Sequence, residues 1–88
     1  MIAIAVDDER PMLQNLTEVV SASPDIRQVH SFSSCSAALS WLETGKADVA
    51  FLDISMRGMG GLTLAEKINQ LQPDCKIVFC TGYEQYAL

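Results

Sequence analysis

Residues 47–61 read ADVAFLDISMRGMGG, an apolar run followed by an aspartate and a glycine-rich loop. The run from Ala47 to Leu52 is typical of a buried β-strand, here ending at Asp53. After the loop, apolar residues at helical spacing predict a helix that closes before Pro73, and these residues are Leu62, Leu64, Ala65, Ile68 and Leu71. A strand, a loop and a helix in this order are typical of α/β proteins.

The same alternation of strand and helix is predicted on both sides of this unit. Apolar runs indicate two more strands, at Ile2 to Val6 and at Lys76 to Cys80. A further short strand is predicted from Ile26 to Phe32, although its apolar residues do not alternate cleanly. A helix is predicted after the strand at Ile2 to Val6, with Pro11 in its first turn and Ser23-Pro24 at its end. Another is predicted after the strand at Ile26 to Phe32, with Ser33 or Ser34 as its cap and Gly45 just past its end. Glu84 to Leu88 is predicted to begin a further helix. This order predicts one parallel α/β sheet with helices on both faces.

The size and charge of the chain limit the function classes. Its 88 residues suffice for one compact domain, 1–88, and its 11 acidic residues outnumber the 6 basic ones, so no cluster of Lys and Arg could follow a nucleic-acid backbone. No apolar run approaches the length of a membrane span, and no secretory signal is expected because the N-terminus lacks a basic leader. The cysteines, Cys35, Cys75 and Cys80, form no C-x-x-C pair, which indicates buried thiols of a cytoplasmic protein.

Acidic and hydroxyl side chains stand where the predicted strands end. Asp7 and Asp8 follow the first strand, Asp53 follows the third and Thr81 follows the fourth. Right-handed crossovers place the carboxyl ends of parallel strands on one rim, where open α/β sheets bind their ligands. If the first strand neighbours the third, the three carboxylates converge at that rim.

Three converging carboxylates need protons or a cation. Two unit charges about 4 Å apart repel by about 1–4 kcal/mol across the dielectric range of a protein surface. A donor set of oxygen atoms without cysteine or histidine favours Mg²⁺. With the cation in place, Asp53 can attack a phosphoryl group, while Thr81 and the N–H groups of residues 54–58 donate to its oxygens. Each motif alone is more typical of a turn or helix cap, and only their joint placement indicates a site.

Three segments together resemble the signatures of response-regulator receiver domains: Val6-Asp7-Asp8-Glu9, Asp53-Ile54-Ser55-Met56 with Gly58, Met59 and Gly61, and Thr81-Gly82. The resemblance runs along the whole chain. It implies a flavodoxin-like, doubly wound parallel sheet in the order 2-1-3-4. Such a domain would lack its fifth strand and fifth helix, so that 1–88 would be incomplete at the C-terminus.

The resemblance also implies roles for individual residues. Asp53 would accept a phosphoryl group from a sensor histidine kinase, and Thr81 would contact that group and act as the switch residue. Asp7, Asp8, Asp53 and the Ser55 backbone carbonyl would hold Mg²⁺. The last eight residues are similar to those of receivers joined to LytTR-type DNA-binding domains, so DNA would be reached only through an output domain outside this chain.

The chain departs from the family pattern at several places. Arg57 stands where proline is usual, and Gly60 where an acidic or polar residue is usual. The strand-five lysine that pairs with the phosphoryl group has no counterpart, since Lys67 and Lys76 fall in other elements. Without strand five, the fourth strand is expected to form an exposed edge, which predicts self-association through that edge or exchange of C-terminal segments between chains.

Two alternatives stay open at this point. The chain could be a degenerate receiver that acts only as a dimerisation or interaction module, because the phosphoryl-pairing lysine is missing. It could also be a small Mg²⁺-dependent phosphohydrolase similar to the haloacid dehalogenases. That second alternative is disfavoured because such enzymes need a second aspartate two positions after the nucleophile, where this chain has Ser55.

Overall fold

A computed structural model describes residues 1–81 and 84–87 of the chain, with side chains described as far as Cys80. The elements in chain order are β1 (Ile2–Val6), α1 (Arg10–Ser21), β2 (Gln28–Phe32), α2 (Cys35–Leu42), β3 (Val49–Asp53), α3 (Gly61–Leu71), β4 (Lys76–Thr81) and β5 (Glu84–Ala87). None of the helices in this part of the chain has the length and apolar character that a bilayer span requires.

The strands form one sheet in the order β2-β1-β3-β4-β5. The pairs β1–β2, β1–β3 and β3–β4 are parallel. Val6 of β1 pairs with Leu52 of β3, so the two strands end at the same rim. The predicted order 2-1-3-4 is therefore confirmed, and so is the neighbourhood of the first and third strands.

The predicted helix beginning at Glu84 is wrong. Residues 84–87 form β5, which pairs antiparallel with β4 from Thr81↔Glu84 to Val78↔Ala87. A strand at a sheet edge presents unpaired N–H and C=O groups, and a segment this short gains more by pairing with them than by forming an isolated helical turn. The expectation that β4 is a bare edge is consequently also wrong over Val78 to Thr81. Leu88 lies outside the described residues.

The ends of the elements follow local hydrogen bonds. Ser34 is the cap of α2, since its side chain accepts from the N–H of Ala37 at 3.2 Å. β2 starts later than predicted because the N–H of Ile26 is used in a turn, where it donates to the carbonyl of Ser23. β3 likewise starts at Val49, since the N–H of Ala47 donates to a side chain of the α3 terminus rather than to a strand.

Apolar side chains on the two faces of the sheet form two separate cores. The larger core lies between the sheet and helices α2 and α3, and its fully buried members include Ile4, Ala50, Leu52, Leu64 and Ile68. The smaller core lies under α1 and contains Ala3, Val20 and Val49, with Phe51 and Val78 partly buried against it. β1 contributes to both cores, which explains its unbroken apolar sequence.

Candidate functional site

The three aspartates named from the sequence come together at the carboxyl rim of the sheet. One carboxylate oxygen from each of Asp7, Asp8 and Asp53 lies within 4.8 Å of the others. Asp7 is 7% exposed, and the other two are half-buried. The cause is the pairing of β1 with β3, because the two strands deliver their last residues to the same place.

Asp7 is held from two sides. Its backbone N–H donates to the carbonyl of Phe32 at the end of β2, at 3.2 Å. Its Oδ1 accepts from the N–H of Glu9 at 2.9 Å. Burial raises the pKa of the Asp7 carboxyl, and the negative charges of Asp53 and Asp8 raise it further, against the lowering effect of the Glu9 bond.

Asp53 ends β3 and stands beside Cys80 of β4 in the strand register. Its Oδ1 accepts from the N–H of Ser55 at 3.3 Å, so the following loop orients the carboxylate. Burial raises the pKa of Asp53, and the charges of Asp8 and Glu9 contribute in the same direction. Protons or a cation therefore relieve the charge repulsion at Asp7 and Asp53.

Asp8 differs from its two neighbours because it has a positively charged partner. Its Oδ2 accepts from the backbone N–H of Arg57 at 2.9 Å and from the Nε of Arg57 at 3.3 Å. These contacts lower the pKa of Asp8, the backbone N–H having the largest effect. The loop after β3 is thereby tied to the end of β1.

Glycines fix the course of this loop. Gly58 has φ +74°, a left-handed conformation that side-chain-bearing residues adopt rarely. A Cβ on Gly61 would overlap the carbonyl oxygen of Asp53 and lie 2.9 Å from the Cα of Ile54. The N–H of Gly61 also donates to the carbonyl of Ile54 at 3.0 Å, which closes the loop onto the end of β3.

The donor set fits a hard divalent cation. All three groups are carboxylates, the ligands that Mg²⁺ prefers, and their oxygens lie within 4.8 Å of one another. Ser55, whose carbonyl is the fourth predicted ligand, lies in the loop two residues after Asp53 and is exposed. Its role as a ligand stays a prediction.

Thr81 ends β4 at the same rim, one residue after the strand partner of Asp53. Its side chain, and the whole of Gly82 and Tyr83, lie outside the described residues. The predicted contact between the Thr81 hydroxyl and a phosphoryl group therefore stays a prediction.

Two neighbours of the aspartates were not named as site residues from the sequence. Arg57 was noted only as a departure from the family pattern, and its bond to Asp8 joins residues 49 positions apart in the chain. Cys80 was interpreted only as a buried thiol, yet its pKa is raised by burial and by the charges of Asp53 and Asp7. Neither contact follows from local sequence, because both depend on which strands are neighbours.

The family model for the response regulator receiver domain matches residues 3–88. The chain belongs to the response regulator receiver family. The predicted family and the flavodoxin-like fold are thus confirmed. Receiver domains are signalling domains in which phosphoryl acceptance and Mg²⁺ binding at an acidic pocket are general properties.

This receiver domain matches only part of the length of each of its curated relatives. It is 36% identical to the sensory transduction protein LytT of Enterococcus faecalis, covering 100% of the chain and 36% of that protein. It is 35% identical to the transcriptional regulatory protein NatR of Bacillus subtilis, covering 94% of the chain and 36% of that protein. The chain therefore spans about a third of the length of these relatives. The name LytT is consistent with the predicted likeness to LytTR-type regulators.

Solved structures agree with this assignment. The response regulator protein TrrA from Thermotoga maritima, in complex with Mg(2+)-BeF, superposes with a TM-score of 0.80 at 30% identity, over 96% of this receiver and 72% of that chain. A two component transcriptional regulator AraC from Clostridium phytofermentans gives a TM-score of 0.82 at 26% identity, over 96% of this receiver and 68% of that chain.

Proposed function

We propose that this receiver takes a phosphoryl group from a sensor histidine kinase onto Asp53. Asp7, Asp8, Asp53 and the Ser55 backbone carbonyl would hold the Mg²⁺ ion that assists the transfer. The observation that supports the proposal is the meeting of three carboxylates within 4.8 Å at the carboxyl rim, with Asp53 at the end of β3.

The transfer itself is a substitution at phosphorus. A carboxylate oxygen of Asp53 forms the new O–P bond, and the P–N bond to the kinase histidine breaks, so that its imidazole leaves with the bonding electron pair. The Ser55 N–H, which donates to Asp53 Oδ1, holds the carboxylate in position for this attack. A bound Mg²⁺ supplies charge neutralisation for the phosphoryl oxygens. The Thr81 hydroxyl would donate to one of those oxygens.

The phosphorylated receiver would act on an output domain. The relatives are named as sensory transduction and transcriptional regulatory proteins, and this chain spans about a third of their length. We therefore propose that the receiver belongs to a longer cytoplasmic transcription regulator, in which a DNA-binding domain of the LytTR type reads the phosphorylation state.

Acetyl phosphate and Mg²⁺ provide a test that needs no cognate kinase. The 88-residue chain is expected to gain the mass of one phosphoryl group, as measured by intact-protein mass spectrometry. Asp53→Asn and removal of the metal with EDTA should each abolish the gain. Asp74→Asn, at an exposed aspartate before β4 at the opposite rim, should leave it unchanged. No gain in the wild type, or a persistent gain in Asp53→Asn, would contradict the proposal.

A further inference from the structure

Arg57 places a side-chain cation directly on one of the three carboxylates. Asp8 Oδ2 accepts from the backbone N–H of Arg57 at 2.9 Å and from its Nε at 3.3 Å. The Arg57 side chain is 88% exposed and that of Asp8 is 18% exposed, so the arginine reaches from the solvent to a carboxylate that is largely shielded.

These two bonds use the acceptor capacity of one oxygen atom. A carboxylate oxygen has about two lone-pair sites, and Oδ2 of Asp8 already accepts two N–H groups. A cation that binds Oδ2 must therefore displace one of them. A cation that binds Oδ1 instead meets the positive charge of the guanidinium on the neighbouring oxygen.

The side chain of Arg57 is the donor that can leave. Its backbone N–H belongs to a loop that Gly61 ties to Ile54, so this bond is held by the fold. The guanidinium has an exposed stem and borders an open cavity of about 700 Å³, whose other lining residues are Asp8, Glu9, Ser55 and Met56. Release into that cavity restores the hydration and the rotamer freedom of the side chain.

We propose that the Arg57 side chain competes with the divalent cation for Asp8 and so lowers the affinity of the acidic site for the ion. The inference rests on the proposed function, since it takes Asp7, Asp8 and Asp53 as the ligands. Arg57 is accordingly a residue that sets the ion concentration at which the receiver becomes competent for phosphoryl transfer. The backbone N–H of Arg57 positions Asp8, and its guanidinium weakens the binding of the ion to Asp8.

Titration calorimetry with Mg²⁺, and electron paramagnetic resonance with Mn²⁺, measure the effect directly on the 88-residue chain. Arg57→Gln keeps the backbone bond and removes the charge, so it should bind both ions about two- to five-fold more tightly, the range expected for an exposed ion pair. Arg57→Lys keeps the charge and should stay closer to the wild type than Arg57→Gln. The gain should shrink at about 1 M ionic strength, where the screening length is only about 3 Å.

Arg27→Gln is the matched control. Arg27 is exposed and precedes β2, at the opposite end of the parallel strands, and its loss changes the net charge by the same amount. The inference is overturned if Arg27→Gln and Arg57→Gln tighten ion binding equally. It is also overturned if Arg57→Gln binds the ions no more tightly than the wild type. Either result leaves the proposed function standing. Failure of the wild type to bind either ion removes both.

Discussion

At the scale of one residue, the buried carboxylate of Asp7 lowers the stability of the fold when it is ionised. Burial raises its pKa above the ordinary value of 3.8, and the charges of Asp53 and Asp8 add to the effect. An acid whose pKa rises on folding stabilises the fold below its unfolded pKa and loses that contribution as the pH rises through its folded pKa. Without a divalent ion, the ionised Asp7 therefore destabilises the domain at neutral pH.

Asp7→Asn should increase the free energy of unfolding at neutral pH by about 1 kcal/mol, the repulsion of two unit charges about 4 Å apart in water. The amide oxygen can still accept from the N–H of Glu9. Urea unfolding followed by the fluorescence of Trp41 measures the change, and Asp74→Asn should stay within about 0.5 kcal/mol of the wild type. Added Mg²⁺ should stabilise the wild type more than Asp7→Asn. If Asp7→Asn is no more stable than the wild type without metal, the ionised Asp7 does not destabilise the fold.

At Gly61, the addition of a single Cβ atom should lower the stability of the fold. Gly61→Ala puts a Cβ onto the carbonyl oxygen of Asp53, so we expect a loss of about 1–3 kcal/mol in stability and a displaced β3–α3 loop. Gly60→Ala is the matched control, because its nearest neighbour, the carbonyl oxygen of Ile54, lies 4.0 Å away and its φ of −72° suits alanine. Thermal unfolding compares the two. Equal losses in both variants would show that the overlap at Gly61 is relieved elsewhere.

At the scale of elements, one side chain joins three of them. Gln72 follows α3 directly, and its Nε2 donates to the carbonyls of Leu42 at 3.0 Å and Gly45 at 2.7 Å. Its Oε1 accepts from the N–H of Ala47 at 2.9 Å. The amide thus satisfies backbone groups at the end of α2 and in the loop that leads to β3.

Gln72→Leu keeps the approximate volume and leaves those three backbone groups without their partner, so it should cost about 2–3 kcal/mol of unfolding free energy. Gln70→Leu changes an exposed position in the last turn of α3 and should have little effect. Urea denaturation gives both values. If the two variants unfold at the same urea concentration, water replaces the side chain of Gln72 at no cost.

The conformation of the C-terminal segment could not be predicted from its local sequence. Glu84 to Leu88 was predicted as the start of a helix, and residues 84–87 instead pair with β4. A short segment has little intrinsic preference, because one helical turn fixes several residues for a single hydrogen bond. The open edge of β4 offers backbone partners at once, so a contact between elements decides the conformation.

At the scale of the whole molecule, β5 covers part of the β4 edge and leaves the second predicted form of self-association, the exchange of C-terminal segments between chains. The pairing joins only residues 78–81 and 84–87, and the same bonds can form when two chains exchange this segment. We expect a dimer whose fraction rises with protein concentration, measured by size-exclusion chromatography with light scattering.

Two proline variants test whether β5 pairs with β4 in solution. In an antiparallel pair, adjacent residues point their N–H groups in opposite directions, so proline at one of Tyr86 and Ala87 removes a bond to β4 and at the other does not. Only the first kind should lower the free energy of unfolding, and the dimer fraction should change little, because the monomer and the exchanged dimer contain the same bonds. A monodisperse monomer at high concentration would exclude the exchange.

Local sequence determined the part of this protein that burial enforces. Four strands and three helices were predicted to within a few residues. Burial enforces apolar sequence in β1 and β3, and apolar residues along one face of each helix, whereas β2, QVHSF at the sheet edge, is only partly apolar. The aspartates could be named because they follow those strands, and the combined motifs identified the receiver family.

Tertiary structure alone decided which groups meet. Arg57 bonds to Asp8 across 49 positions, Gln72 bonds to Ala47 across 25, and residues 84–87 take their conformation from β4. Hydrogen bonds and ion pairs act over a few ångströms in space, whereas periodicity reports only on burial. The positions of the acidic residues at the strand ends could therefore be predicted from the sequence. The groups that hydrogen-bond to them or carry charges beside them could be identified only once the order of the strands was known.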